Sequence, residues 1–123
     1  MTLTLTDLFA GFGGASSGAV QVEDIELVMA ANHWPLAVEV HNSNHPDADH
    51  ACVDLHLEDP AYFPSTDLLW ASPECTQWSQ ANGKKPDLAR VLGSRRDQVK
   101  GYGNAVTPPS SRDLMTCISE AAA

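Results

Sequence analysis

The glycine-rich stretch Ala10-Gly11-Phe12-Gly13-Gly14-Ala15-Ser16-Ser17-Gly18, set directly behind Leu3–Phe9, constrains this chain most. Leu3–Phe9 (LTLTDLF) is apolar-rich and β-branched, and reads as a first strand. Glycines immediately after a strand permit a tight turn and a close approach of backbone to a ligand. Amides at the start of a following helix favour anions. The turn opens towards Ala19-Val20. Its spacing of Gly11, Gly13 and Gly14 departs from the strict dinucleotide fingerprint, and it lacks the Lys-Ser/Thr of a phosphate loop. An ordinary strand-to-helix turn therefore stands beside nucleotide-like binding as a reading.

Strands and helices then alternate. Glu23–Ala31 reads as a second strand centred on Ile25–Ala30. Pro35 suits the first turn of a helix that runs to about Asn44, with Leu36, Val40 and His41 on one face and His45-Pro46 ending it. A short third strand around Cys52-Val53 leads to Asp54. A fourth, Asp67–Ala71, is cut off by Pro73, which cannot continue a ladder. Such alternation implies right-handed crossovers and a parallel sheet: an α/β fold of about four parallel strands with flanking helices. After the second strand, where a polar group often meets a ribose, stand Asn32 and His33. Residues 84–100 are charged and punctuated by Gly and Pro, and read as a linker. Pro108–Ala123 reads as a last helix, with Leu114, Met115 and Ile118 as its apolar stripe and Ser110 or Ser111 as N-cap before Asp113. A half-built doubly wound sheet leaves a strand edge open, so a partner chain or a homodimer is expected.

Cys75 falls on the loop just past the fourth strand's carboxyl end, where open α/β sheets place their chemistry. Its thiolate is a candidate nucleophile; the plainer reading is a small apolar residue in a turn. At 123 residues the chain is one domain. Its three cysteines, odd in number and widely spaced, form no disulfide framework, and neither a membrane span nor a basic-then-apolar leader is present, so a cytoplasmic protein is expected. The net charge of −9 is unevenly placed: residues 1–83 hold twelve acidic side chains and no Lys or Arg, whereas residues 84–123 hold seven basic and four acidic ones. Contact with nucleic-acid phosphate would fall to Lys84, Lys85, Arg95, Arg96 and Lys100, with Arg90 and Arg112 beside them; a solvated basic tail is the alternative. Five histidines lie between His33 and His56, and His41 and His45 are one helical turn apart with Cys52 following. They straddle helix, turn and strand without a paired-ligand pattern, so no metal is expected and solvated helix-end histidines account for them.

These pieces carry a family resemblance. DLFAGFGG (Asp7–Gly14) resembles the first, cofactor-binding motif of the DNA cytosine-5 methyltransferases, and ANHWPLAVEVHNSNHP (Ala31–Pro46) that family's second region. CVDL (Cys52–Leu55) is similar to the third, SPECTQWSQANG (Ser72–Gly83) to the fourth with its catalytic cysteine, and GYGNAVTPP (Gly101–Pro109) to the tenth. The resemblance implies a Rossmann-like sheet, S-adenosylmethionine as methyl donor and a flipped cytosine in DNA as acceptor. Phe9, Gly11 and Gly13 would wrap the donor's methionine end, Trp34 would pack on its adenine, and Asp54 would accept from the adenine amino group. Asn104 would close the pocket, and Cys75 would attack carbon 6 of the base. Residues 1–83 would then be the donor-binding and catalytic-loop part. Residues 84–100 would be a short linker in place of the usual target-recognition region, and residues 101–123 a C-terminal motif and helix packing back on the same domain.

Three departures qualify the match. Glu74 separates Pro73 from Cys75, and an adjacent carboxylate raises a thiol's pKa unless it points away. His33 stands where the family commonly has an acidic residue for the donor's ribose, and a Gln usual near Gly101 is missing. The interval between the cysteine motif and the tenth motif is short, and its carboxylates, Asp87 and Asp97, lack the Glu-Asn-Val context that assists at the cytosine ring. Two functions from different classes follow: a cytosine-5 methyltransferase, compact or completed by a partner chain, and a catalytically silent S-adenosylmethionine-binding remnant. A third takes Ser72-Pro73-Glu74-Cys75 as a relative of the amino-methyltransferase motif; Cys75 in place of a stacking aromatic ring argues against it.

Overall fold

β1 (Leu3–Leu8) sits between two neighbours in a four-stranded parallel sheet. The computed structural model describes residues 1–73 and 108–123. The chain continues through α1 (Gly14–Ala19), β2 (Ile25–Asn32), α2 (Pro35–Asn44), β3 (Asp49–Cys52), a 3₁₀ turn at Pro60–Tyr62, β4 (Leu68–Ala71) and α3 (Pro108–Ala122). The sheet order β3-β2-β1-β4 places β1 and β4, with their carboxyl ends together, at the point where the order of strands reverses. Open α/β sheets form their binding crevice at such a point. The β3 strand begins earlier than the apolar pair Cys52-Val53 suggests, because Asp49 and His50 already pair with Met29 and Ala30.

Alternation along β1 decides which side chains go where. Leu3 and Leu5 face a core with Ala19, Ile25, Leu27, Ala48 and Met115, against which Val22, Leu68, Trp70 and Ile118 pack. A second cluster of Met29, Ala31 and Ala51 gathers Leu8, Val28, Val53, Leu55 and Phe63. The register slips between Leu5 and Thr6, so that β2 spends the extra residue Val28 there, as a bulge does. β4 is tied to β1 at its start by Asp67, whose Oδ2 accepts from the Thr4 amide at 2.9 Å and the Thr4 hydroxyl at 2.7 Å. Those hydrogen bonds hold the Asp67 carboxyl below its usual pKa.

α3 lies on α1 through small residues. A Cβ on Gly18 would run into Ser111 Oγ and the Pro108 carbonyl. Ser111 is fully buried and donates to the Ala15 carbonyl at 2.8 Å. The helix begins at Pro108, so Ser110 and Ser111 lie inside its first turn and neither is the N-cap. The buried stripe is Ser111, Met115 and Ile118, and Leu114 turns outward with 48% of its surface exposed. Seven residues from Ser111 to Ile118 span two helical turns, which puts Leu114 off that line.

His41, His45 and His50 are not solvated helix-end side chains, whereas His33 and His56 are exposed. Ala37 and His41 are the buried pair of α2, with Leu36 and Val40 only half-buried beside them, and His41 has 1% of its surface exposed. His41 Nε2 lies 3.0 Å from Ser16 Oγ, Nδ1 lies 2.8 Å from His50 Nε2, and Ser16 Oγ lies 2.6 Å from the buried carboxylate oxygen Asp7 Oδ2. His45 Nε2 lies 3.0 Å from Ser17 Oγ. A period-two strand sends Asp7 to the same face as Leu3 and Leu5, so the carboxyl must find a partner inside; Ser16 of α1 supplies it, and His41 of α2 bonds Ser16 in turn. Burial pushes Asp7 up to about 6 and, with the neighbouring His45 and His50, pushes His41 down to about 3.

Two measurements check this packing. Gly18→Ala should lower the urea midpoint by the equivalent of about 2 kcal/mol with an unchanged m-value, since the helices must separate to admit the methyl group. Acid should destabilise the fold. Between pH 6.5 and about 3 the unfolded chain binds a proton at His41 that the folded chain refuses, so stability falls as pH drops through that window. Asp7 acts oppositely between about 6 and 3.8, a narrower range, and His45, also lowered by burial, adds to the loss. The melting temperature should therefore fall from pH 6.5 towards 4, and His41→Gln should flatten that slope.

Candidate donor-binding site

The loops behind β1, β2 and β3 converge at one edge of the sheet. Behind β1 the backbone leaves the strand through left-handed conformations at Phe9 (φ 59°), Gly11 (φ 57°) and Gly13 (φ 95°). Phe9 is not a glycine, so its conformation costs on the order of 1 kcal/mol, a strain that clusters at ligand sites. Gly13 accounts for its own identity: besides its positive φ, a Cβ there would come within 2.9 Å of His41 Cδ2. Gly11 is buried, yet among the described residues a Cβ on it would meet no atom within 4 Å. One side of the loop is thus backed by a histidine ring, and the other meets no described residue that closely.

Behind β2, Asn32 Oδ1 accepts from the Trp34 amide at 2.9 Å, a local turn that sets the indole at the head of α2. The Trp34 ring stacks with Phe12 of the glycine loop, centroids 5.5 Å apart and planes 27° from parallel. His33 is exposed, and its carbonyl accepts a long contact from Cys52 Sγ at 3.8 Å. Behind β3, the Val53 amide donates to the Asn32 carbonyl at 3.1 Å and carries the chain to Asp54, which is exposed. Asp54 Oδ1 accepts from the His56 amide at 3.0 Å, and the His56 ring sits 5.9 Å from Phe9. Behind β4, the Ser72 amide donates to the Leu8 carbonyl at 3.3 Å, which keeps that exit beside the glycine loop.

Phe9, Gly11, Gly13, Trp34 and Asp54 therefore all belong to this edge. Cys75, Asn104 and the basic residues Lys84, Lys85, Arg95, Arg96 and Lys100 lie outside the described residues, as does Glu74. The residues that sequence reasoning missed are Phe12, which pairs with Trp34, His56 beside Phe9, and the buried partners of Asp7. A carboxylate at an inward position of an otherwise apolar strand was the available signal for the last of these. Among the described residues no cluster of His, Cys, Asp and Glu is arranged to hold a metal, and no helix is long and apolar enough to cross a membrane.

The sequence profile of the C-5 cytosine-specific DNA methylases matches residues 3–93. The chain is 31% identical over 106 residues to the type II methyltransferase M.NlaX of Neisseria lactamica, covering 77% of this chain and 34% of that one. It is 33% identical over 129 residues to M1.ScrFI of Lactococcus lactis subsp. cremoris, covering 94% of this chain and 32% of that one. The chain spans about a third of the length of these relatives. A Spodoptera frugiperda DNMT2 structure superposes with a TM-score of 0.55 at 21% identity over 85% of this chain and 33% of that one, a likeness of fold. A match over residues 3–93, together with a parallel sheet whose glycine loop and Trp34 meet at its carboxyl edge, places the chain in the C-5 cytosine-specific DNA methylase family.

Proposed function

We propose that this chain binds S-adenosylmethionine at the carboxyl edge of β1, β2 and β3, and serves methyl transfer to carbon 5 of cytosine in DNA. The observation that carries the reading is the loop Phe9–Gly13: left-handed at Phe9, Gly11 and Gly13, backed by His41 at Gly13, uncrowded at Gly11 among the described residues, and stacked through Phe12 on Trp34. The residues fit the donor by their chemistry. Gly11 and Gly13 admit its methionine end close to backbone, Phe9 and Trp34 offer apolar faces, and the Asp54 carboxylate accepts from an amine. By the family resemblance, Asn104 would close the pocket. When bound, the donor supplies an electrophilic methyl group on a sulfonium centre.

In this reading Cys75 follows β4 into the crevice beside the glycine loop. Its thiolate adds to carbon 6 of a cytosine turned out of the stack, and the electron pair displaced from the 5,6 double bond makes carbon 5 nucleophilic. After carbon 5 takes the methyl group, a base removes its proton, the double bond re-forms and the thiolate leaves. The basic run Lys84, Lys85, Arg95, Arg96 and Lys100 meets DNA phosphate. Residues 1–83 supply donor pocket and nucleophile, residues 84–100 link, and residues 101–123 return to the domain. A cytoplasmic setting suits this chemistry.

The short interval between Gly83 and Gly101 favours a second reading, in which the donor pocket is kept while target reading comes from a partner chain or is lost. A DNA duplex carrying 5-fluorocytosine tests both. Fluorine at carbon 5 blocks the final elimination, so attack by Cys75 with methyl transfer leaves a denaturation-resistant protein–DNA adduct. The enzyme reading predicts that adduct with the donor present and its complete loss in Cys75→Ser. The second reading predicts no adduct from the chain alone, donor binding that Cys75→Ser leaves unchanged, and an adduct only when a partner polypeptide is added.

A further inference from the structure

Beneath the glycine loop runs a continuous line of hydrogen bonds. Asp7 Oδ2 and Ser16 Oγ are 2.6 Å apart, Ser16 Oγ and His41 Nε2 3.0 Å, His41 Nδ1 and His50 Nε2 2.8 Å, and His50 Nδ1 and the Ala48 carbonyl 2.9 Å. The line starts on β1, passes through α1 and α2, and ends on β3. Each of its four links needs one hydrogen. With Asp7 ionised and both imidazoles neutral, the groups bring three: one on Ser16 and one on each ring. Some link must then hold two facing lone pairs, a costly arrangement where Asp7, Ser16 and His41 are all buried.

One more proton completes the line, and it can sit at either end. Placed on His50, it gives an imidazolium that donates both to the Ala48 carbonyl and to His41, whose Nε2–H then donates to Ser16 and Ser16 to the Asp7 carboxylate. Placed on Asp7, it reverses the three side-chain links: Asp7 donates to Ser16, Ser16 to His41 and His41 to His50, while His50 still donates to the Ala48 carbonyl. The two arrangements hold the same number of hydrogens and differ by one concerted shift, and His41 carries a single hydrogen in both.

We propose that the Asp7–Ser16–His41–His50 line is a proton-sharing strut that, when complete, fixes the glycine loop in its ligand-receiving shape, with His41 as the positioning residue. This rests on the reading of that loop as the donor site. The coupling to the loop is steric: His41 Cδ2 and Nε2 stand 2.9 and 3.2 Å from where a Cβ of Gly13 would be, so a ring that loses its link and turns withdraws the loop's backing. The titratable groups around His41 are His45 on its own helix and His50 on β3, and the Asp7 carboxyl on β1 is reached through Ser16. The directions of titration agree, since burial raises Asp7 to about 6 and lowers His41 to about 3, which keeps the proton at an end of the line. Burial lowers the pKa of His45, held at Ser17, in the same direction as that of His41.

Nuclear magnetic resonance of the full chain between about pH 5 and 8 tests the strut. The Asp7 carboxyl carbon should titrate, and the two His41 ring nitrogens should respond, with one common midpoint while that ring keeps one hydrogen. The Gly11 and Gly13 amides should move at that same midpoint. His50→Gln places a non-titrating amide donor against His41, so the line is complete with Asp7 ionised and the glycine amides should stop responding to pH. Ser16→Ala cuts the line and should uncouple the His41 ring response from the Asp7 titration. The Kd for S-adenosylmethionine should rise tenfold per pH unit above the midpoint and be flat in His50→Gln. Separate midpoints in the unaltered chain, or glycine amides that ignore the titration, overturn the proposal. Donor binding that is independent of pH contradicts the strut alone, whereas no donor binding at any pH contradicts the donor reading on which its role rests.

Discussion

The 2.6 Å hydrogen bond between Asp7 and Ser16 is the constraint on which the rest of this structure depends. A carboxyl on the inner face of the central strand is costly to bury unless it is satisfied, and here one oxygen finds Ser16 while the other, Oδ1, has no partner among the described residues. To reach Asp7, α1 must begin at once behind β1, which forces the chain through three left-handed residues in five. His41 then closes over Ser16 and Gly13, and so draws α2 to the same point. The glycine loop is shaped from beneath by these buried polar contacts rather than by its own sequence alone.

That shaping connects packing to chemistry. β1 is paired on both sides, so its carboxyl end is among the least free parts of the sheet, and the loop it launches is bordered by the exits of β2, β3 and β4. Phe12 and Trp34 bridge the first two exits by stacking, and Ser72 is held to Leu8 at the last. A ligand entering beside Gly11 meets groups already placed, which lowers the cost of ordering them on binding. On the opposite flank, Gly18 and Ser111 let α3 lie against α1, so the C-terminal helix steadies the element that answers Asp7.

Most of the sheet was legible in the sequence because strand and helix periods dominate there: LTLTDLF, EDIELVMAA and the proline-led α2 lie where their patterns put them. The third strand was shifted because Asp49 and His50 join the ladder through backbone, which side-chain pattern does not record. Ser110 and Ser111 looked like caps, since serine before a helix so often is one, but the close approach of Gly18 selects a small buried hydroxyl inside the helix instead. The histidines misled for a related reason: a polar residue near a helix end reads as solvated unless one notices that Asp7, four residues after Leu3 on the same strand face, needs an answer from somewhere. The resemblance names Phe9, Gly11, Gly13, Trp34 and Asp54, which the fold brings to one edge of the sheet, whereas the stacking of Phe12 on Trp34 shows only in the fold.

Calorimetric titration of the purified chain with S-adenosylmethionine, alongside Asp54→Ala, shows whether the edge formed by β1, β2 and β3 holds the methyl donor. Saturable binding at one site per chain is expected, lost or greatly weakened in the Asp54→Ala variant while its melting temperature stays within a few degrees of the parent. A chain that melts cooperatively yet gives no heat of binding, or binds equally well without the Asp54 carboxylate, would contradict it.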